Sequence, residues 1–248
     1  MILSLVNVFE IEYEKWRQRE PSFEEAKSHL EKTGEMMFMV NDQLEARIAN
    51  HIEAARYMLQ RTVDNGLENH IDNHLHNSFE FKDMVAHMPV STPDSIESYK
   101  KSYPSYNSVQ VSKDIDCIGK KLHEGQYLFH GGFCPAEQGD VILTDRPFST
   151  SFCPQVALRN AEWGGKAYDN GEIHLCVLKV SDAKTNAFVF PLDGEMNNEK
   201  EVLFAESAKL TIISKELIRS DYSVYKSDGY FNTTEIKVPA YLVQIEVS

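Results

Sequence analysis

Residues 199–204 read Glu199-Lys200-Glu201-Val202-Leu203-Phe204, two carboxylates at i and i+2 running into an apolar triplet. A short apolar run behind charged residues reads as a buried strand. Side chains alternate faces along a strand, so Glu199 and Glu201 point the same way. They lie roughly 6.5 Å apart at about 3.3 Å per residue. One account is a charged strand entrance that keeps a sheet edge soluble. The other is chemical: carboxylates at that separation divide two tasks around a sugar carbon, as in glycoside cleavage.

Working outward toward the N-terminus, two further segments carry polar groups where a core strand would be apolar. Phe148-Ser149-Thr150-Ser151 follows Ile142-Leu143 and precedes a helix predicted from Pro154. On a strand Ser149 and Ser151 share one face and Thr150 takes the other, and buried hydroxyls need partners. An exposed edge strand would also fit. Tyr127-Leu128-Phe129-His130-Gly131-Gly132 is a strand ending in a histidine and two glycines. Glycine there lets a ligand lie against the backbone, and His130 offers a hydrogen-bonding ring. A plain turn with a surface histidine is the alternative.

Around these segments the pattern is strand-rich. Apolar runs at 126–130, 173–180, 187–190, 201–204, 210–213 and 241–247 are bounded by Gly, Pro, Asn and Asp, with helices at 113–122 and 154–163. The first ninety residues instead read as helical. Ser22 and Glu25 form a capping-box start with Gly34 as the stop. An amphipathic stripe runs through Phe38, Val40, Leu44, Ile48, Ile52, Ala55 and Leu59 to a stop at Gly66, and a third helical stretch covers 67–88. Residues 89–110 are rich in Pro, Ser and Tyr and read as an extended connector, though three tyrosines argue against a freely flexible one. The expected organisation is an α+β chain: a helical N-terminal unit (1–90), a connector (91–111) and a mostly antiparallel β unit with few helices (112–248).

In their order, the histidine-glycine strand, the Ser-Thr-Ser strand and the Glu-x-Glu strand resemble the mono-ADP-ribosyltransferase superfamily, toxin-like enzymes with an Arg-or-His, Ser-Thr-Ser, Glu-x-Glu signature. The resemblance covers about 126–248. It implies an ADP-ribosyltransferase-like β-sandwich core and NAD as a substrate. It also implies roles: His130 on an NAD⁺ ribose hydroxyl, Gly131 pairing its backbone with the nicotinamide carboxamide, and Ser149 bracing NAD⁺ and the catalytic carboxylate. Thr150 and Ser151 stiffen the strand, Glu201 is the catalytic carboxylate, and Glu199 receives the nucleophile. His130 is a departure, because the serine-motif branch usually has arginine there. Trp163 and Tyr168 lie where the family folds over the cofactor, and residues 191–198 lie where it keeps a target-recognition loop. Arg146 is placed to meet a phosphate or solvent.

The activity implied is transfer of ADP-ribose, with release of nicotinamide, to a macromolecular acceptor. Glu199 rather than glutamine points to a protein arginine, with RNA or DNA left open. Water as acceptor would make the chain an NAD glycohydrolase, and a non-catalytic interaction module is the third reading. The resemblance implies a toxin or effector, with the N-terminal helices binding a target, a partner or an antitoxin. Related labels are toxin-antitoxin and nucleotidyltransferase-like.

Composition bounds these readings. The 248 residues are 42% hydrophobic and 25% charged, ordinary for a globular chain, and the net charge is −13. Such a chain is repelled from phosphate backbones, so indiscriminate nucleic-acid binding is not expected. The N-terminus has no positive segment and turns acidic too soon for a signal peptide or membrane span. Four dispersed cysteines, Cys117, Cys134, Cys153 and Cys176, read as reduced thiols. The expected setting is cytoplasmic, or delivery into a target cell without a classical signal. His70, His74 and His76 cluster on a predicted helix, and only His70 and His74 share a face. Metal is therefore not expected.

Overall fold

The computed structural model describes residues 1–193, 197–227, 229 and 232–248. The N-terminal third is less helical than its apolar stripe predicts. β1 (Tyr13–Arg19) and β2 (Val40–Ile48) form an antiparallel ribbon around helix α1 (Phe23–Thr33). The α1 start is the expected capping box: Ser22 Oγ accepts from the Glu25 N–H, and the Glu25 carboxylate accepts from the Ser22 N–H. Gly34, with φ of 76°, closes the helix in the left-handed region as predicted.

The stripe from Phe38 to Leu59 is split. Its first half is β2, and its second half is α2 (His51–Arg61), capped by Asn50. Three- and four-residue spacing over so few positions does not separate a strand from a helix, and pairing with β1 decides it. The stop moves too: α2 ends at Thr62, and Gly66 lies inside α3 (Asn65–Asn77). Ser78 caps α4 (Phe79–Ala86), dividing the predicted third stretch in two. The stretch predicted as an extended connector is folded into α5 (Asp94–Ser102) and α6 (Ser108–Ile118). Tyr99, Tyr103 and Tyr106 pack on one another between these helices, with ring centroids 4.9–6.2 Å apart.

The C-terminal half confirms the α+β expectation. β3 (Tyr127–Gly132), β4 (Val141–Leu143), β5 (Phe148–Ser151), α7 (Pro154–Glu162), α8 (Lys166–Asn170), β6 (Ile173–Val180), β7 (Ala187–Val189), β8 (Glu201–Phe204), β9 (Lys209–Ser227) and β10 (Thr233–Val247) follow in order. The strands join one sheet ordered β4-β9-β10-β6-β3-β5-β8-β7, antiparallel at every step except β10 beside β6. β6 lies inside the sheet and is buried along nearly its whole length, which is why it reads as a continuous apolar run. β9 and β10 extend far beyond their predicted apolar cores. The added residues alternate lysine, glutamate, aspartate and serine with buried Tyr222, Val224 and Val238, so half of each strand faces solvent.

Gly131 has a packing reason to be glycine. A Cβ on it would come within 1.6 Å of the Ala157 carbonyl oxygen, so α7 lies directly on β3 there. The two halves of the chain also share one apolar core, from Leu3, Leu59 and Ile96 to Phe129, Phe188 and Val243.

Candidate active site

β3 pairs with β6 along its full length but meets β5 only at Phe129 opposite Ser151. From His130 onward it has no strand partner on that side among the described residues, and alternate backbone groups of 130–132 open onto the gap. His130, Ser149, Glu199 and Glu201 gather at this gap.

Each hydroxyl of the Ser-Thr-Ser strand is tied to the Glu-x-Glu strand. The Ser149 hydroxyl donates to Glu201 Oε1 at 2.5 Å. Thr150, on the other face, donates to the Val202 carbonyl, and Ser151 to the Glu199 carbonyl, both at 2.7 Å. The expected alternation therefore holds, and the three hydroxyls clamp one glutamate side chain and the backbone on either side of it. His130 reaches across from β3, its Nδ1 2.7 Å from the Ser149 carbonyl oxygen, so Nδ1 carries the proton that this oxygen accepts. Burial pushes the imidazole down to about 4, with Lys166 and Arg146 adding to the effect. It is a neutral ring at any physiological pH.

Glu201 is 3% exposed. With Oε1 held by Ser149, its other oxygen, Oε2, has no hydrogen-bond partner among the described residues. Burial, and after it the Glu199 charge, raise its pKa to about 7. Lys100 and the Ser149 bond oppose that rise. A buried carboxylate oxygen without a donor is costly unless something else supplies one.

Two groups from the supposed connector complete the site, and sequence reasoning missed both. The α5 residue Lys100 places its ammonium 3.6 Å from Glu201 Oε2, beyond hydrogen-bond length, and 4.0 Å from Glu199 Oε2. The ammonium also sits 4.0 Å from the Phe190 ring centroid. Tyr99, one residue earlier, is buried, and its phenol is raised by burial and the Glu201 charge. The only sequence signal was the run of tyrosines, which required packing partners without naming them.

The residue between the glutamates is itself an anchor. Lys200 adopts φ of 50° and is buried, with its ammonium 3.2 Å from Glu68 and 3.0 Å from Asp72 on α3. This anchor fixes the turn that presents Glu199 and Glu201.

Other expected residues are more dispersed. Trp163 projects outward beside Lys166, whose ammonium lies 5.4 Å from the indole and 5.7 Å from the Tyr103 ring. Tyr168 packs against the core. Arg146 lines a cleft of about 310 Å³ with Tyr103, Pro104, Tyr106, Ser108 and Asp145. Of the loop expected at 191–198, residues 194–196 lie outside the described residues. His70 bonds the Ile11 carbonyl and His76 the Asp72 carbonyl. No helix among the described residues is long and apolar enough to cross a membrane.

No protein-family model matches the chain, and no curated protein matches it. Among solved structures it is similar to the ADP-ribosyltransferase Vis in complex with agmatine: 14% identity, 75% of this chain, 86% of that one, TM-score 0.46. It is similar to the enzymatic component C2-I of the C2 toxin of Clostridium botulinum: 10% identity, 68% of this chain but only 46% of that one, TM-score 0.41. A third is Plx2a, an ADP-ribosyltransferase toxin from Paenibacillus larvae: 13% identity, 79% of this chain, 96% of that one, TM-score 0.36.

Proposed function

We propose that this chain transfers ADP-ribose from NAD⁺ to a macromolecular acceptor, with Glu201 as the catalytic carboxylate. The observation that carries this reading is the state of Glu201: buried, braced through Oε1 by Ser149, and left with Oε2 near Lys100 but without a hydrogen-bond donor among the described residues. A donor such as the 2′-hydroxyl of a ribose satisfies that oxygen.

The chemistry follows from charge. The bond between ribose C1′ and the nicotinamide nitrogen breaks, its electron pair leaves with neutral nicotinamide, and positive charge develops on the ribose. A fixed carboxylate hydrogen-bonded to the 2′-hydroxyl stabilises that charge inside a site of low polarity. The acceptor nucleophile then bonds to C1′, and its proton passes to Glu199 or to solvent. His130, neutral and held through Nδ1 by the Ser149 carbonyl, is the proposed contact for a ribose hydroxyl, and its bond to the strand that braces Glu201 supports that reading.

A protein arginine is the proposed acceptor. Glu199 is a partly exposed carboxylate that already lies near a cation, Lys100, and a guanidinium would be drawn to it. The test incubates the protein with NAD⁺ labelled in the adenylate part and a cell lysate, then treats the product with protease or nuclease. Protease-released label is expected. Nuclease-released label would move the acceptor to RNA or DNA, and free ADP-ribose alone would make the chain a glycohydrolase. Glu201→Gln should slow nicotinamide release by about a hundredfold or more, and an unchanged rate removes Glu201 from this role.

A further inference from the structure

The described groups that face the Glu201 carboxyl come from three elements. Ser149 of β5 donates to Oε1, and Tyr99 and Lys100 approach from α5. Glu199 stands two residues earlier on the strand entrance and contributes a second negative charge. His130 of β3 faces Ser149 rather than the carboxyl. Lys100 is the one cation in this set. Its side chain is 7% exposed, which is unusual for lysine, and its ammonium is held over the Phe190 ring. Burying an ammonium is expensive unless opposite charge surrounds it, and two carboxylate oxygens lie within 4.0 Å.

We propose that Lys100 is a positioning residue that keeps Glu201 a carboxylate in its buried position, and so sets the lower pH limit of the reaction. Like the mechanism above, this rests on Glu201 acting as the catalytic carboxylate. Two acidic side chains within reach of one ammonium, one of them buried, repel each other and favour a proton on the buried member. A protonated Glu201 cannot stabilise positive charge on the ribose. An ammonium at 3.6 Å offsets both burial and repulsion, since an opposite charge within about 4–6 Å favours the ionised form by roughly 1–3 pH units. The 3.6 Å distance also leaves Oε2 free for a substrate hydroxyl. The lysine thus holds the charge without consuming the acceptor.

Full-length protein carrying ¹³C at glutamate side-chain carboxyl carbons, with Glu201 assigned by its absence in Glu201→Gln, gives the titration midpoint directly. Lys100→Met and Lys100→Gln should both raise that midpoint by about a unit or more, and Lys100→Arg should restore it. Nicotinamide release should follow the same shift, falling roughly tenfold at pH 6.5 in Lys100→Met and recovering above pH 9. A midpoint that stays in place in either folded variant overturns the proposal, even if turnover changes. A wild-type protein that releases no nicotinamide would defeat the functional reading instead, and the titration would still decide what Lys100 does.

Discussion

Glu201 and His130 lie on the two strands that flank one hydroxyl strand, and burial acts on them in opposite senses. The carboxyl is raised to about 7 and the imidazole lowered to about 4, because burial disfavours whichever form is charged. Activity that needs ionised Glu201 and neutral His130 should rise through about pH 7 and level off above it. Initial rates of nicotinamide release between pH 5.5 and 9 measure this, and a flat profile contradicts it. The same shift bears on stability. The folded chain holds the Glu201 proton up to about pH 7, whereas the unfolded chain gives it up near 4.5. Stability present below about 4.5 is therefore lost as pH rises through 7. Glu201→Gln should then gain stability relative to wild type between pH 4.5 and 8, on the order of 2–3 kcal/mol. Urea melts of both proteins at the two pH values show whether it does. His130 works the other way, its contribution being lost as pH falls from about 6.5 through 4.

At the scale of elements, the site is two strands stitched together and one turn tied down. Three hydroxyls of β5 reach the Glu201 carboxylate and the Val202 and Glu199 carbonyls, and Lys200 binds the turn between the glutamates to Glu68 and Asp72 of α3. Lys200→Met leaves both glutamates in place and strands two acidic side chains without their cation. Nicotinamide release should fall at least about tenfold as the turn shifts, with a loss of a few kcal/mol in stability from the partly buried pair. Lys200→Gly relieves the left-handed backbone at this position and should still lose activity. Comparing the two by steady-state kinetics and thermal melting separates anchor from backbone, and an active Lys200→Gly would show that the side chain does not matter. The element that reasoning from sequence misjudged most is α5. Pro93 and Ser95 near its start and Pro104 beyond it resemble linker composition, yet Ile96 and Tyr99 are buried at helical spacing. Two buried positions in nine residues are too few to signal a helix.

For the whole molecule, the N-terminal segment is built into the sheet half. The Gln126 side chain accepts from the Val6 N–H and donates to the Val6 carbonyl, both at 2.9 Å, and Leu3 bonds Lys121. A fragment of residues 112–248 would expose Gln126 and the apolar surface under Leu3 and Val6, and would lose Tyr99 and Lys100. It should release no nicotinamide and melt well below the full chain, which in turn should unfold in a single transition followed by circular dichroism. A stable, active fragment would restore the boundary drawn between 91 and 111.

The sequence by itself determined the residue types proposed to carry the chemistry and the strands that bear His130, Ser149 and Glu201. Alternation is a local property, so Ser149, Thr150 and Ser151 could be assigned faces from spacing alone, and β6 and β8 could be placed from their apolar runs, whereas Glu199 lies in a turn ahead of β8 where the left-handed Lys200 breaks the alternation. Only the tertiary structure decided that His130 meets Ser149, that Lys100 lies between the glutamates, that Lys200 reaches α3 and that Gly131 serves the packing of α7. Those are contacts between segments far apart along the chain. Periodicity carries no information about which distant surface a side chain meets, because that choice is made by packing and by the pairing of buried charge.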